Sequence, residues 1–257
     1  MLGFICGDFE VGIYSAAVKI RTVLTTLITS IGTVLLPRLS FYIANENWNE
    51  FKRLLKKSYC TIIMMAIPMM IYFILAAAPS IVFLSGTEYA EAATPMRILM
   101  PIMLITSLSN ITGMQILIPT GGEWKFAVSV SCGAIIDIVI NMILIPQMGA
   151  SGAAIGTLLA ELTQFCVQLY FAHNYIRGAF SFKETGQVVA ATMLGVIGYS
   201  IIFPLLHVNT FLTLAVTAVV FFGLYMAGLL FFRYEMLMEL LGMFLNPILR
   251  KIKNRKN

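Results

Sequence analysis

Four ionisable side chains stand where long apolar stretches should exclude them. Lys19 and Arg21 share one hydrophobic run, Asp137 lies in a second and Glu161 in a third. A charge at the centre of a membrane helix costs roughly 2.5–3.5 kcal/mol on insertion scales, so such residues face a bundle interior or water rather than lipid. Asp137 and Glu161 fall near mid-run and meet most of that cost. Lys19 and Arg21 are shallower and can partly snorkel outward. The four charges cancel, which allows pairing across a cavity. No nucleophile–base pair accompanies them and no loop gathers carboxylates, so they suit binding and passage, not bond-breaking.

Helical spacing extends each charge into a polar stripe. The first run carries Lys19, Thr22, Thr26, Thr29, Ser30 and Thr33 at steps of about three or four. Another carries Thr157, Glu161, Gln164 and Gln168; Asp137 and Asn141 stand one turn apart, and Ser107, Asn110 and Gln115 add a further polar set. Isolated Ser and Thr serve as well for helix–helix contacts, but two carboxylates and two cations favour the lining of a hydrated path.

The elements that must position these residues are membrane spans. Of 257 residues 59% are hydrophobic and 11% charged, against about 25% charged in a soluble domain, and the mean hydropathy is +0.89. Seven apolar runs, near 11–37, 58–84, 93–118, 125–146, 150–172, 185–205 and 210–232, are each long enough to cross a bilayer as a helix. The expected class is all-α, a polytopic transmembrane bundle of about seven spans. A β-barrel would show short alternating segments instead. The last two runs hold no interior charge, so they pack outside the polar path or face lipid.

Lys and Arg fix an expected orientation. All 17 except Lys19, Arg21 and Arg97 fall in the break at 38–57, at Lys125, at Arg177 and Lys183, or from Arg233 onward. The breaks near 84–92, 147–149 and 206–209 hold none. The positive-inside rule then places the C-terminus in the cytoplasm and Asp8 and Glu10 outside. The net charge of +5 serves orientation, and nucleic acid is not an expected partner.

The organisation expected is a remnant of a preceding span and an outside loop over 1–10, and a five-span polar-lined bundle over 11–172. Two uncharged peripheral spans over 173–232 and a basic amphipathic cytoplasmic tail over 233–257 follow. Within 38–57, Trp48, Phe51, Leu54 and Leu55 recur opposite Glu50, Lys52 and Lys56, and Asn47 with Glu50 resembles a capping box. In the tail, Leu237, Leu240, Leu241 and Phe244 precede an Asn246-Pro247 helix start. Both segments read as helices lying on anionic lipid. Pro37, Pro119, Pro146 and Pro204 mark span ends, whereas Pro68, Pro79 and Pro101 fall inside spans and kink them. Gly152 and Gly156 form a G-x-x-x-G step for close helix approach. Cys6, Cys60, Cys132 and Cys166 read as small buried hydrophobes. His173 and His207 have no second ligand nearby, so neither metal nor cofactor is expected. Met1–Phe9 lacks a basic n-region and reads as the end of a preceding span, not a signal peptide.

Several stretches, GIYSAAVKI (12–20), LLPRLS (35–40), ILIPTGGEWKF (116–126) and NMILIPQMGASGAAIGTLLAE (141–161), resemble bacterial polysaccharide flippases of the Wzx type. These lie in the multidrug/oligosaccharidyl-lipid/polysaccharide exporter superfamily. The resemblance implies one lobe of a two-lobed, 12–14-span transporter, the second half plus a remnant of the span before it. A missing N-terminal lobe would supply the facing wall. It implies passage of an undecaprenyl-pyrophosphate-linked oligosaccharide across the bacterial plasma membrane by alternating access, with membrane lipid and glycan assembly proteins as further partners. On that reading Lys19 and Arg21, with Asn110, Asn141 and Gln164, contact the substrate. Asp137 and Glu161 carry a coupling ion, and the last two spans help hold the prenyl tail. Two rivals remain: a cation-coupled small-molecule extruder of the same superfamily, and a membrane glycan polymerase or ligase. Lys19 and Arg21 argue for an anionic substrate against the first. The longest outside loop, near 84–92, is short for the second.

Overall fold

The structure is a computed structural model that describes residues 1–176, 180–206 and 209–242. Arg177, His207, Phe244, the Asn246-Pro247 start and the basic residues from Arg250 onward lie outside them. The described residues form α1 (Leu2–Cys6), α2 (Asp8–Ala44), α3 (Trp48–Leu75), α4 (Ala77–Ser85), α5 (Ala93–Asn110), α6 (Glu123–Ile176), α7 (Phe182–Ile202) and α8 (Thr210–Phe231). A 3₁₀ stretch, Thr87–Ala92, leads into α5, and a π-helical stretch, Ile111–Leu117, continues it.

Six helical stretches are long and apolar enough to cross a membrane. One of them, the 54-residue α6, would be about 80 Å long if straight, far beyond a ~30 Å hydrocarbon core. It is broken at Gly149, whose φ of 53° and ψ of −130° are not helical. The chain doubles back there, so residues 123–148 and 150–176 form two antiparallel arms and the count of about seven spans holds. The small residues allow the arms to close. A Cβ on Gly152 would lie 2.4 Å from the Leu144 carbonyl oxygen, and one on Gly156 would lie 2.1 Å from Asn141 Oδ1. The G-x-x-x-G step thus seats the two arms of one hairpin against each other.

Three boundaries differ from the sequence reading. Pro37 does not end the first span: α2 runs through it to Ala44. The turn comes at Asn45–Asn47, where Glu46 adopts a φ of 53° and Asn47 Oδ1 caps α3 by accepting the Glu50 N–H at 3.3 Å. Pro146 likewise lies inside the first arm of α6, and Gly149 makes the break. The amphipathic segment before span two is the opening of α3 itself. Its Phe51 and Leu55 are fully buried, and Trp48 packs on Tyr175 with ring centroids 5.9 Å apart.

Span two divides at Ala76 into α3 and α4, and its prolines explain how. A proline removes the N–H that would serve the carbonyl four residues earlier. Pro68 therefore frees the Met64 carbonyl, which accepts the Tyr225 hydroxyl of α8 at 2.6 Å. Pro79 frees the Leu75 carbonyl, which accepts the Tyr199 hydroxyl of α7 at 3.2 Å. In a membrane every such group needs an internal partner, so α8 and α7 are fastened at the carbonyls these prolines free. Tyr72 of α3 reciprocates, donating to the Leu214 carbonyl at 2.9 Å amid Tyr199, Phe221 and Phe222.

Candidate substrate path between α2, α5 and α6

The sites picked from the sequence divide into two groups in space. Lys19 is exposed on α2 and lines a shallow groove of about 430 Å³ with Val23, Phe73, Leu84 and Ser85. Arg21, two residues on, points elsewhere. It shares a face with Tyr14, seven residues earlier, and the Tyr14 hydroxyl lies 2.8 Å from Thr157 Oγ1 on the second arm of α6. Glu10, one turn before Tyr14, accepts the Ala150 N–H at 2.7 Å. The two contacts show α2 and that arm running side by side in the same direction. Arg21 lies about 10 Å along α2 from Tyr14, and Gln164 about 10 Å along α6 from Thr157, at 1.5 Å per residue. Arg21 and Gln164 thus both lie beyond the Tyr14–Thr157 contact in that shared direction, and Glu161 is one turn nearer Thr157 than Gln164 is.

The α5 side of this wall is polar. Thr106 donates to Glu161 Oε2 at 3.1 Å, and Gln164 Nε2 donates to Ser109 Oγ at 3.4 Å. Deeper in, Gln168 Oε1 accepts from Ser109 and Thr112, both at 2.7 Å, while its Nε2 donates to Ser129 at 3.2 Å. Beside it Gln115 accepts from Ser58 at 2.9 Å and donates to Asn110 Oδ1 at 3.3 Å. Gly32 of α2 makes room, since a Cβ there would lie 2.5 Å from Asn110 Oδ1. The sequence reading named Asn110, Gln115, Gln164 and Gln168 but not Ser58, Ser109, Thr112 or Ser129. Ser109 and Thr112 stand three residues apart beside the polar set of span three, a spacing that would have found them.

Four charged or amide groups lack the partners their chemistry asks for. Arg21 Nε is buried with no hydrogen-bond partner. On the first arm of α6, Asp137 and Asn141 stand one turn apart, and Asp137 Oδ1 and Asn141 Oδ1 are both buried and unpartnered. No ion pair among the described residues joins Lys19, Arg21, Asp137 and Glu161 to one another; the pairs found are Glu50–Arg53, Lys56–Glu184 and Lys57–Glu239. The fourth group is Glu184 Oε2, at the start of α7. Its Oε1 holds Lys56 at 2.9 Å, just before the apolar part of span two. Burial pushes the Glu184 carboxyl up, but the Lys56 hydrogen bond and charge, together with a backbone hydrogen bond and the Lys183 charge, outweigh it and leave the carboxyl below its usual range. The same hydrogen bond, against some desolvation, raises Lys56.

The hydroxyls of α2's exposed stripe turn back on their own helix. Thr26 donates to the Thr22 carbonyl at 2.9 Å and Thr29 to that of Thr25 at 3.0 Å, a pattern common for Ser and Thr inside helices. This face also carries exposed Val23, Leu27 and Val34, so it is mixed rather than polar throughout.

Comparison with known proteins bears on the chain and its fold. Residues 11–90 match the family model described as lipid II flippase MurJ. A putative O-antigen transporter of Escherichia coli is 27% identical over 176 residues, covering 68% of this chain and 42% of that protein. The lipid II flippase MurJ of Bacillus subtilis is 26% identical over 148 residues, covering 56% and 27%. An experimentally solved lipid II flippase MurJ in an inward closed conformation superposes with a TM-score of 0.75 at 15% identity, covering 87% of this chain and 47% of that one. The chain thus spans less than half the length of these relatives. Sequence and fold together make it a multi-pass membrane protein related to the multidrug/oligosaccharidyl-lipid/polysaccharide exporter superfamily.

Proposed function

We propose that this chain forms one lobe of a flippase for a lipid-linked glycan, an undecaprenyl-pyrophosphate-linked oligosaccharide, in the bacterial plasma membrane. An N-terminal lobe supplies the opposite wall. No covalent bond is made or broken. The path runs along α2, α5 and the second arm of α6, and alternating access exposes it to each side in turn.

The observation that carries the reading is Arg21. A guanidinium with a buried, unpartnered Nε offers a planar donor fork to an anion, and pyrophosphate oxygens match such a fork bidentately. Gln164 and Asn110 add polar contacts for sugar, and exposed Lys19 meets the anion earlier on its route. Asp137 and Asn141 present acceptor oxygens without donors, which suits a coupling proton or sodium ion at that pair; Glu161 is the second coupling carboxylate. The lobe sits with its N-terminus outside and C-terminus in the cytoplasm. Glycan assembly proteins deliver and receive the cargo.

The test uses the chain joined to its N-terminal lobe in a flippase-deficient strain, reading surface glycan per inserted copy. Arg21→Ala lowers export by about tenfold or more, as loss of a charge-assisted bidentate contact does, while Arg21→Lys recovers only part. Normal export by Arg21→Ala at normal abundance would sink the assignment. Orientation is checked separately with an impermeant thiol reagent in a Cys-less background. A Cys at Gly149 must label in intact cells and one at Asn254 must not.

A further inference from the structure

Four polar side chains form one chain of hydrogen bonds that ends on a backbone carbonyl. Ser129 Oγ, on the first arm of α6, donates to the Phe126 carbonyl at 2.6 Å. Gln168 Nε2, on the second arm, donates to Ser129 Oγ at 3.2 Å. Ser109 Oγ of α5 donates to Gln168 Oε1 at 2.7 Å, and Gln164 Nε2 donates to Ser109 Oγ at 3.4 Å. Along this chain every donor points away from Gln164 and toward Phe126. Thr112 adds a second donor to Gln168 Oε1 at 2.7 Å. Ser129, Gln168 and Thr112 are fully buried and Ser109 nearly so, so solvent does not compete for these links.

The direction is set from the far end. A hydroxyl donates once and a side-chain amide has a donor end and an acceptor end, but a backbone carbonyl only accepts. With its hydrogen on the Phe126 carbonyl, Ser129 can only accept, so Gln168 turns its NH2 to it. Gln168 Oε1 then takes the Ser109 hydrogen, so Ser109 too can only accept, and Gln164 turns its own NH2 inward. That leaves Gln164 Oε1 as the outward end. It accepts from no described residue and, on a half-buried side chain, is not enclosed. We infer that this one-way relay makes Gln164 an acceptor for a hydroxyl of the glycan cargo, with Ser109, Gln168 and Ser129 as its positioning residues. The cargo is that of the transport reading above, on which this inference rests. A carbonyl oxygen draws O–H donors and repels phosphate oxygens, so Gln164 meets sugar and leaves the anionic group to a cation. Glu161, three residues earlier, spends Oε2 on Thr106, and its Oε1 is a second acceptor on the same face.

Reversing the relay has a definite cost. Ser129 would have to give up its 2.6 Å bond to Phe126 and donate to Gln168 instead. Ser129→Ala removes that bias. A Gln168 NH2 facing alanine would leave buried N–H groups without an acceptor, which native structures avoid more strictly than an under-used C=O. Turned over, Gln168 gives its NH2 to the Ser109 and Thr112 hydroxyls, and only its oxygen faces the alanine. Ser109 is then free to donate to Gln164, whose NH2 swings outward. A change buried on the other arm of α6 thus reverses the polarity of a group at the path.

The experiment has two readouts. In the first, the full chain carries 15N on its five glutamine side chains and is followed by hydrogen exchange in detergent, with Gln164→Met identifying the Gln164 NH2. That group should exchange about fivefold faster in Ser129→Ala, as loss of one hydrogen bond implies; unchanged exchange overturns the relay. In the second, the chain joined to its N-terminal lobe is read as surface glycan per inserted copy. Gln164→Met should lower export about fivefold and Ser129→Ala about twofold or more. In a Ser109→Ala background, which cuts the relay, Ser129→Ala should have no further effect. An equal loss in both backgrounds shows that Ser129 acts through packing and overturns its positioning role. Normal export by Gln164→Met overturns the acceptor role whatever Arg21→Ala does. Normal export by Arg21→Ala beside a failing Gln164→Met sinks the anion assignment alone and supports this one.

Discussion

The two arms of α6 and the pair α7–α8 are both helical hairpins in the same membrane protein, yet they are held in place by different means. The α6 arms meet closely at glycines 133, 152 and 156, which abut the Ala160 backbone, the Leu144 backbone and the Asn141 side chain respectively; a Gln168-to-Ser129 hydrogen bond also joins them, while Glu161 and Gln164 turn to α5. The α7–α8 pair has glycine contacts of its own at 195 and 228, but it is tied to the rest by tyrosine hydroxyls placed on carbonyls that prolines have freed. Close contact at glycines leaves Glu161 and Gln164 turned toward α5 and available to a path. Hydroxyl-to-carbonyl ties spend their polarity on attachment and leave the outer faces of α7 and α8 apolar. A region that must present charge and a region that must anchor therefore differ in where their hydrogen-bonding groups point.

The largest effect should come from the α6 contact. At Gly152 a Cβ would lie 2.4 Å from the Leu144 carbonyl oxygen and 2.6 Å from its carbon, and backbone cannot swing aside as a side-chain tip can. Gly152→Leu should cost about 3 kcal/mol or more, the upper end of overpacking, seen as loss of folded protein on detergent size exclusion. Gly223 meets nothing within 4 Å, so Gly223→Ala should leave stability unchanged or raise it by up to about 1 kcal/mol. If both variants behave alike, close approach is not what joins the arms.

A middle-sized effect tests the tyrosine ties. Tyr225→Phe leaves the Met64 carbonyl in an apolar setting with no donor, a loss of about 1–2 kcal/mol. The same substitution in a Pro68→Ala background should cost much less, because an alanine at that position supplies its own backbone N–H to the Met64 carbonyl. The coupling is read from a double-mutant cycle on reversible unfolding in mixed micelles. Additive losses would falsify the link between proline and tyrosine. Tyr199→Phe, removing a longer 3.2 Å bond, should fall below Tyr225→Phe.

Much of this architecture was legible in the sequence because membrane spans are read from length and apolarity alone. Seven runs, the alternation of basic breaks, the Asn47 cap and the close Gly152–Gly156 step all follow from local residue type. What was not legible depends on partners distant in the chain. Pro37 reads as a terminator, yet α2 runs through it to Ala44. Phe51 and Leu55 read as a lipid-facing stripe because hydrophobicity does not say whether lipid or protein will cover it. Lys19 and Arg21 read as one feature because they are two residues apart, but two residues on a helix turn a side chain by about 200°, and the structure sends them to separate faces. Asp137 and Glu161 were marked by charge alone; their different settings, an orphaned oxygen on one and a Thr106 bond on the other, needed the third dimension.

The smallest effect concerns the tie at the other end of α7, where Glu184 holds Lys56 at 2.9 Å. Its carboxyl is mostly buried but the Lys56 side chain is 40% exposed, so solvent screens the pair and its worth is about 0.2–1 kcal/mol. The sign of its pH dependence follows from the directions of the two shifts. Glu184 is lowered in the folded protein, so its contribution is complete above the ordinary glutamate value near 4.3 and fades as pH falls through the lower folded value. Lys56 is raised, so its contribution is complete below its ordinary value near 10.4 and fades as pH rises through the higher folded one. Between those limits the pair should be flat with pH. Glu184→Gln should therefore remove a small stability at neutral pH and little or none well below pH 4, measured as unfolding midpoints in one detergent across that range. It leaves the Tyr59–Thr185 hydroxyl contact at 2.7 Å beside it intact, so α7 stays docked and the variant isolates the charge. A difference between wild type and variant that grows as pH falls would reverse the expected sign and show that burial, not Lys56, governs this carboxyl.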